Sequence, residues 1–390
     1  MSRGTGRRPS GSRGTGGVEV AIVGSGLAGF TAYQTLRRAG LEAEQIAVFG
    51  THGDPAAAWR RRAAAIQQRR MRSESDGHCL PTTFPGLAVR AALRRRSPAP
   101  LVASIADRFH PTVEEFLEHV RRLREKSGWD RSVREALIER VHAVDGGFEL
   151  DRHGEFGHVL LAPGHPGLNV PDELRADPRV VHAYEPHEHA PTVTVVGAGL
   201  AAATEWLNAL VAGSEVVSVR RREPLRRALN VPREYFSRRG LAGFHRLGPG
   251  ERAARIAALL TPSYPTGAAW DAPLEQAAAE GRFRVEPTVN GSEQVICATG
   301  FLRGFQHDPL LSRLVAEHDL DTTGSWIVLD PDGAVPGLTG GARTLTLAGA
   351  PAQWAFPAAD TLAGARYIAH GFLRRINAAG KRKGERCPTP

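Results

Sequence analysis

Short β-branched runs alternate with segments whose apolar positions recur every three or four residues, a pattern that predicts strands alternating with helices. Val18-Glu19-Val20-Ala21-Ile22-Val23 predicts a strand that ends in Gly24-Ser25-Gly26-Leu27-Ala28-Gly29. A helical pattern follows from Phe30 through Thr35-Leu36-Arg37-Arg38 and stops at Gly40, a typical C-terminal glycine. Gln45-Ile46-Ala47-Val48-Phe49 predicts the next strand. The same unit recurs later. Thr192-Val193-Thr194-Val195-Val196 leads into Gly197-Ala198-Gly199-Leu200-Ala201-Ala202, then an apolar helix through Trp206, Leu207 and Leu210, then the strand Glu215-Val216-Val217-Ser218-Val219. Between the two units, Thr112 and Glu115 form a capping box that opens a helix running through Val120, Leu123 and Arg124. Residues 251–260 and 272–280 also read as helices.

The glycines in the first turn have separate physical tasks. Gly24 permits the tight turn, Gly26 lets backbone amides approach a pyrophosphate, and Gly29 lets helix and strand pack closely. The helix N-terminus adds partial positive charge for the anion. A lone turn of this kind is weak evidence. Two in one chain, each between strand and helix, are specific, and they point to two bound dinucleotides. Arg220-Arg221-Arg222 follows the second strand of the second unit, where a site for NADH would place an acid. A 2′-phosphate suits a guanidinium fork, so this run favours NADPH over a merely solvated strand end.

Composition narrows the class. At 390 residues and 42% hydrophobic, the chain can form two globular domains. No stretch approaches the roughly 18 apolar residues of a membrane span. The three cysteines, Cys79, Cys297 and Cys387, have no C-x-x-C spacing, which argues against a disulfide scaffold or redox dithiol and fits a cytoplasmic location. The formal charge of +9 invites a nucleic-acid reading, but the arginine clusters are scattered along the chain and two anionic dinucleotides would use part of them, so no nucleic-acid partner is expected. Residues 1–16 read as a disordered basic leader: the Arg7-Arg8 pair has no apolar segment after it, unlike a twin-arginine signal. Residues 381–390 read as a flexible tail.

With these turns the chain resembles the two-dinucleotide-binding-domain flavoproteins, in particular the single-component flavin monooxygenases, over roughly Val18 to Leu373. Val159-Leu160-Leu161-Ala162-Pro163-Gly164 resembles the family's first "apolar strand, Ala-Thr-Gly" crossing, with Pro163 in place of Thr. Val295-Ile296-Cys297-Ala298-Thr299-Gly300 matches the second crossing in full. Val180-Val181-His182-Ala183-Tyr184 is similar to a reduced monooxygenase fingerprint, and Leu345-Thr346-Leu347-Ala348-Gly349 resembles the strand that delivers the flavin ring to a closing helix near Ala358 to His370. Residues 230–252 are loosely similar to the insert of amino-acid N-hydroxylases, without the downstream Asn-Tyr element of those enzymes.

The resemblance implies an α/β fold of two Rossmann-like dinucleotide-binding domains. FAD would lie on residues 17–185 plus 292–380, and NADPH on an inserted domain, 186–291. It puts FAD on Gly24, Ser25, Gly26, Leu27, Ala28 and Gly29, with Trp59, Arg60, Met71, Ser73, Gly164, Thr299, Gly300 and Gly349 as further cofactor contacts. NADPH would take Gly197, Ala198, Gly199, Leu200, Ala201 and Arg220 to Arg222. The polar segment Met71 to His78 would pass the isoalloxazine, making Asp76 and His78 the catalytic candidates; a capped loop with a structural His78 is the other reading. The acid expected near Gly50 for the FAD ribose is missing, so Thr51 or Asp54 would have to substitute.

The activity implied is an NADPH- and O2-dependent monooxygenation of a small molecule through a C4a-(hydro)peroxyflavin: N- or S-hydroxylation, or Baeyer–Villiger oxidation. The alternatives are an NADPH-dependent reductase of a quinone or protein acceptor, and a degenerate flavin-binding partner protein. Whether the chain forms a homo-oligomer stays open.

Overall fold

A computed structural model of the 390-residue chain describes residues 19–71, 86–105, 109–227, 231–289 and 291–385. The first part of the chain supplies β1 (Val20–Val23), α1 (Leu27–Arg38), β2 (Ile46–Gly50), α2 (Ala57–Ala65), α3 (Val113–Ser127), β3 (Val133–Glu135) and β4 (His158–Leu161). The middle supplies β5 (Val180–His182), β6 (Thr192–Val196), α4 (Leu200–Val211), β7 (Glu215–Val219), α5 (Arg238–His245), α6 (Pro249–Leu259) and α7 (Ala268–Ala279). The chain then forms β8 (Phe283–Glu286), β9 (Gln294–Cys297), β10 (Thr344–Leu347) and α8 (Leu362–Glu385).

Two five-stranded parallel sheets result. The first has the order β10-β4-β1-β2-β3 and the second β8-β7-β6-β9-β5. Every residue of β1, β4 and β10 is buried, as expected of parallel strands covered on both faces. Helices α1 and α8 lie against each other on this sheet. Trp129 packs on the first half of α1, with its ring edge-on to Phe30 at 4.9 Å and to Tyr33 at 5.0 Å. The whole second sheet falls between β4 and β10 in the chain, so the second domain is an insertion into the first.

The predicted elements form, with shifts. The Thr112–Glu115 capping box opens α3: the Thr112 hydroxyl accepts from the Glu115 N–H at 3.1 Å, and the Glu115 carboxylate accepts from the Thr112 N–H at 2.9 Å. Helix α1 begins at Leu27, three residues before the expected Phe30, because the glycine turn supplies the first helical turn. Helix α7 starts at Ala268, earlier than the expected 272. The closing helix starts at Leu362 rather than Ala358, where the Thr361 hydroxyl accepts from the Gly364 N–H at 3.1 Å, and it runs to Glu385, into the segment read as a loose tail.

Strand pairing moves the domain boundaries. Val180 to His182 and Gln294 to Cys297, assigned from sequence to the first domain, pair with each other in the second sheet, and β9 also pairs with β6. The strands of the second sheet thus run from Val180 to Cys297, beyond the 186–291 expected for the inserted domain. Residues 231–260 depart the other way. Val231, Tyr235, Leu241, Phe244, Ile256 and Leu259 belong to the hydrophobic core of the first domain, together with Trp354 and Phe356. This helical segment, which in chain order belongs to the second domain, packs on the first and bridges the two.

Candidate functional site

Each glycine turn meets its crossing strand in the same way. The Gly24 N–H donates to Phe49 O at 2.7 Å, and the Ala162 N–H donates to Val23 O at 2.6 Å. In the second domain the Gly197 N–H donates to Val219 O at 3.0 Å and the Ala298 N–H to Val196 O at 2.8 Å. Gly24 has φ +115°, and a Cβ there would lie 2.0 Å from Ala162 O; at Gly197 the Cβ would lie 2.5 Å from Ala298 O. The alanine of each crossing thus brings the chain so close that only glycine fits opposite it. Gly29 packs likewise, its Cβ position being 1.9 Å from Gly24 O.

The middle glycines differ. A Cβ on Gly26 would meet no atom within 4 Å, and one on Gly199 only Pro262 Cβ at 3.9 Å. Gly26 and Gly199 are the N-caps of α1 and α4, and neither helix start receives a side-chain cap. Both ends face one cavity of about 2100 Å³ that lies between the sheets. Free helical N–H groups with open space before them are what a pyrophosphate needs. The donor set therefore fits two dinucleotides.

Gly24 to Ala28, Trp59, Met71, Gly164, Gly197 to Ala201, Arg220 to Arg222, Thr299 and Gly300 line this cavity. Gly29 supports the turn from behind. Gly349, at φ +73°, stands beside Ala28, whose Cβ would be 3.7 Å from a Cβ there. Arg60 does not face the cavity: it is exposed and pairs with Asp54 at 2.7 Å. Two positions on, about 200° round the helix, Arg62 lines the wall instead. Trp59, Arg62, Ala63 and Ile66 share that face, so the i, i+3, i+4, i+7 spacing from Trp59 was the available signal. Ser73, Asp76 and His78 lie outside the described residues.

The two residues expected to substitute for the missing acid, Thr51 and Asp54, differ in placement. Asp54 accepts from the Ala56 N–H at 2.9 Å and pairs with Arg60, so it serves the start of α2 and lines no part of the cavity. Thr51 lines the cavity, and so does His52, whose Nδ1 lies 3.4 Å from Ser25 Oγ.

The two crossings touch where the domains meet. Asn169 N–H donates to Gly300 O at 3.0 Å, and Thr299 Oγ1 donates to Asn169 O. The Phe301 ring stacks on His165 at 4.2 Å and Tyr184 at 4.9 Å, and the Arg62 guanidinium lies 4.6 Å from its centre. Burial pushes His165 down to about 4 despite the nearby Asp360, so its imidazole is neutral near pH 7. Burial also lowers the Arg62 pKa from its ordinary value. On the fingerprint strand, His182 accepts from the Tyr184 N–H at 3.1 Å through Nδ1. Arg303 donates to Gln353 Oε1 at 2.7 Å and reaches Asp360 at 3.4 Å, placing a paired charge on the opposite wall.

The arginine run is not uniform. Arg220 is 14% exposed at its side chain, pairs with Glu223 at 2.7 Å and lies 5.9 Å from the Trp206 ring centre. Arg221 is 88% exposed and contacts Glu173 at 3.2 Å. Arg222 is exposed at the rim. Arg227, which the sequence reading missed, also lines the cavity.

No protein-family model and no curated protein sequence matches the chain. Solved structures do. An ornithine hydroxylase from Pseudomonas aeruginosa superposes with a TM-score of 0.65 at 16% identity, covering 92% of this chain and 100% of that one. The ornithine N-hydroxylase of Kutzneria sp. 744, solved with reduced FAD, NADP+ and L-ornithine, gives 0.70 at 13% identity, over 93% and 99%. A bacillithiol disulfide reductase from Bacillus cereus gives 0.57 at 14% identity, over 93% and 99%. The chain thus has the two-dinucleotide-binding-domain flavoprotein fold, with one α/β domain inserted into the other.

Proposed function

We propose that the chain is an FAD- and NADPH-dependent monooxygenase of a small molecule, with an amine or sulfide as the substrate class and N- or S-hydroxylation as the reaction. One observation carries this reading: two uncapped helix N-termini, each fronted by a glycine with open space at its Cβ position, face a single cavity.

The amides at the start of α1 would hold the FAD pyrophosphate, with Ser25 and His52 toward the ribose and Trp59, Arg62 and Met71 along the wall. The amides at the start of α4 would hold the NADPH pyrophosphate, and Arg220, which lines the same cavity, would meet the 2′-phosphate. Bound there, the two nucleotides would supply hydride transfer and the activation of dioxygen by reduced flavin. The protein's own part is to orient them and exclude water. His165, Tyr184 and Phe301 form an aromatic wall between the crossings, and the 231–260 segment closes another side with Val231, Phe236 and Leu259.

The fold also occurs in a disulfide reductase, but no two of this chain's cysteines, Cys79, Cys297 and Cys387, have the C-x-x-C spacing of a redox dithiol. Cys297, the free cysteine among the described residues, is buried in β9, and burial raises its thiol to about 11. The deciding experiment is turnover of amines, sulfides and ketones with NADPH under labelled dioxygen. One labelled oxygen in the product of an amine or sulfide supports the proposal. A labelled ester from a ketone moves it to Baeyer–Villiger chemistry. Quinone or disulfide reduction without oxygen incorporation rejects it in favour of a reductase.

A further inference from the structure

A buried cluster outside the cavity is unused by this reading. His187, His189 and Glu205 bring their ligand atoms within 4.8 Å of one another, with side-chain exposures of 3%, 5% and 0%. Both histidines lie in the segment that leads into β6, and Glu205 lies on α4. An i, i+2 pair on extended chain points both rings the same way. Gln294 on β9 holds the segment so: its Nε2 donates to Glu188 O at 2.8 Å and its Oε1 accepts from the Ala190 N–H at 3.1 Å.

The hydrogen bonding of His187 is the telling feature. Its Nδ1 lies 2.7 Å from Glu185 O, and a carbonyl only accepts, so Nδ1 carries a proton. In the neutral ring Nε2 is then a lone pair, yet it points at Glu205 Oε2 from 3.1 Å. His189 Nε2 meets the same oxygen at 3.0 Å, while Glu205 Oε1 is buried with no hydrogen-bond partner. A lone pair facing a carboxylate needs either a second ring proton or a cation between them. A ring N–H held by a backbone carbonyl is the usual support of a metal-bound histidine. Four-coordinate zinc, with bonds of about 2.0–2.1 Å, keeps its ligand atoms about 3.3 Å apart, a few tenths of an ångström from the two nitrogen–oxygen separations.

We propose that His187 Nε2, His189 Nε2 and the Glu205 carboxylate bind a borderline divalent cation, zinc in the first instance, which staples the entry segment of the inserted domain to α4. Two imidazoles favour zinc over magnesium or calcium. Oε1 of Glu205 is the free donor that completes the set. The site is structural in kind, since all three side chains are buried and none of them lines the nucleotide cavity. It braces the helix whose N-terminus lines the nucleotide cavity.

The test uses tag-free, full-length protein with its flavin in place, mixed with one equivalent of Zn(II) or Co(II) and desalted. We expect one metal per chain by elemental analysis, Co(II) d–d bands of four-coordinate intensity to the red of flavin absorption, and a higher melting temperature with metal. His187→Ala and His189→Ala should each weaken binding by on the order of 100-fold, at or beyond the loss seen when a supporting residue is removed. The folded parent protein needs no variant to refute the idea: if it retains no metal, or if the His187→Ala/His189→Ala double variant retains as much, the cluster is an imidazolium–carboxylate pair and not a metal site.

Discussion

Ser25 occupies the space that any side chain at position 50 would need: a Cβ on Gly50 would lie 2.1 Å from Ser25 Oγ and 2.5 Å from Ser25 Cβ. A side chain at the end of β2, the expected acid included, is therefore excluded by Ser25. Installing Gly50→Asp should lower flavin occupancy rather than raise it, and adding Ser25→Gly should restore part of the loss. His52→Ala should weaken FAD by about 2–10-fold, the value of one ordinary hydrogen bond. The ratio of flavin to protein absorbance reads all three. Tighter FAD binding by a folded Gly50→Asp protein would contradict the steric account.

Two glycines of one turn should fail differently. Gly29→Ala drives its Cβ to within 1.9 Å of Gly24 O and should cost about 1–3 kcal/mol or more in stability. The Cβ of Gly26→Val meets no atom within 4 Å, so the change should alter stability by about 1 kcal/mol or less, while blocking backbone approach to the pyrophosphate. Thermal melts of flavin-free protein separate the two effects. Full flavin occupancy in Gly26→Val would displace FAD from the first turn.

Exposure divides the arginine run. Arg220→Ala should raise the KM for NADPH by about tenfold or more and leave NADH nearly unchanged, since a charge-assisted contact contributes roughly 1.5–3 kcal/mol. Arg221→Ala should change it by less than about fivefold, as exposed ion pairs contribute at most about 1 kcal/mol. Equal use of NADH by the parent protein would remove the basis of this prediction.

Acid should destabilise the first domain through His119. Arg90 Nη1 lies 3.1 Å from its Nδ1, and a guanidinium only donates, so the buried ring is neutral. Burial, then the charges of Arg90 and Arg122, push its pKa down to about 4. An unfolded histidine takes its proton near 6.5, so between about pH 6.5 and 4 the unfolded chain binds more protons and stability falls with pH. Above that window His119 contributes no slope. The loss is up to roughly 3 kcal/mol at the acid end. His119→Leu should flatten the fall in urea midpoint between about pH 7 and about pH 5. His165, His182, His245 and His370, whose pKa values burial also lowers, keep part of the slope; an unchanged profile would acquit His119.

The sequence by itself determined the strand–turn–helix units, the glycine positions, the α3 capping box and the two crossings. Each of these is local: Gly24 and Gly26, or Thr112 and Glu115, act within a few residues of one another, and backbone sterics and hydrogen bonding at that range are written in residue type. Only the tertiary structure decided what depends on distant partners. Val180 to His182 join the second sheet because Gln294 to Cys297 pair with them across more than a hundred residues. Gly50 is glycine because Ser25 fills its space, and Arg62 rather than Arg60 meets the cavity because of which face of α2 is turned toward Phe301. The 231–260 segment shows apolar periodicity, but periodicity states only that a face is buried, and Trp354 and Phe356 of the other domain supply what buries it. His187, His189 and Glu205 converge through the packing of a loop on a helix, a contact that no spacing along the chain encodes.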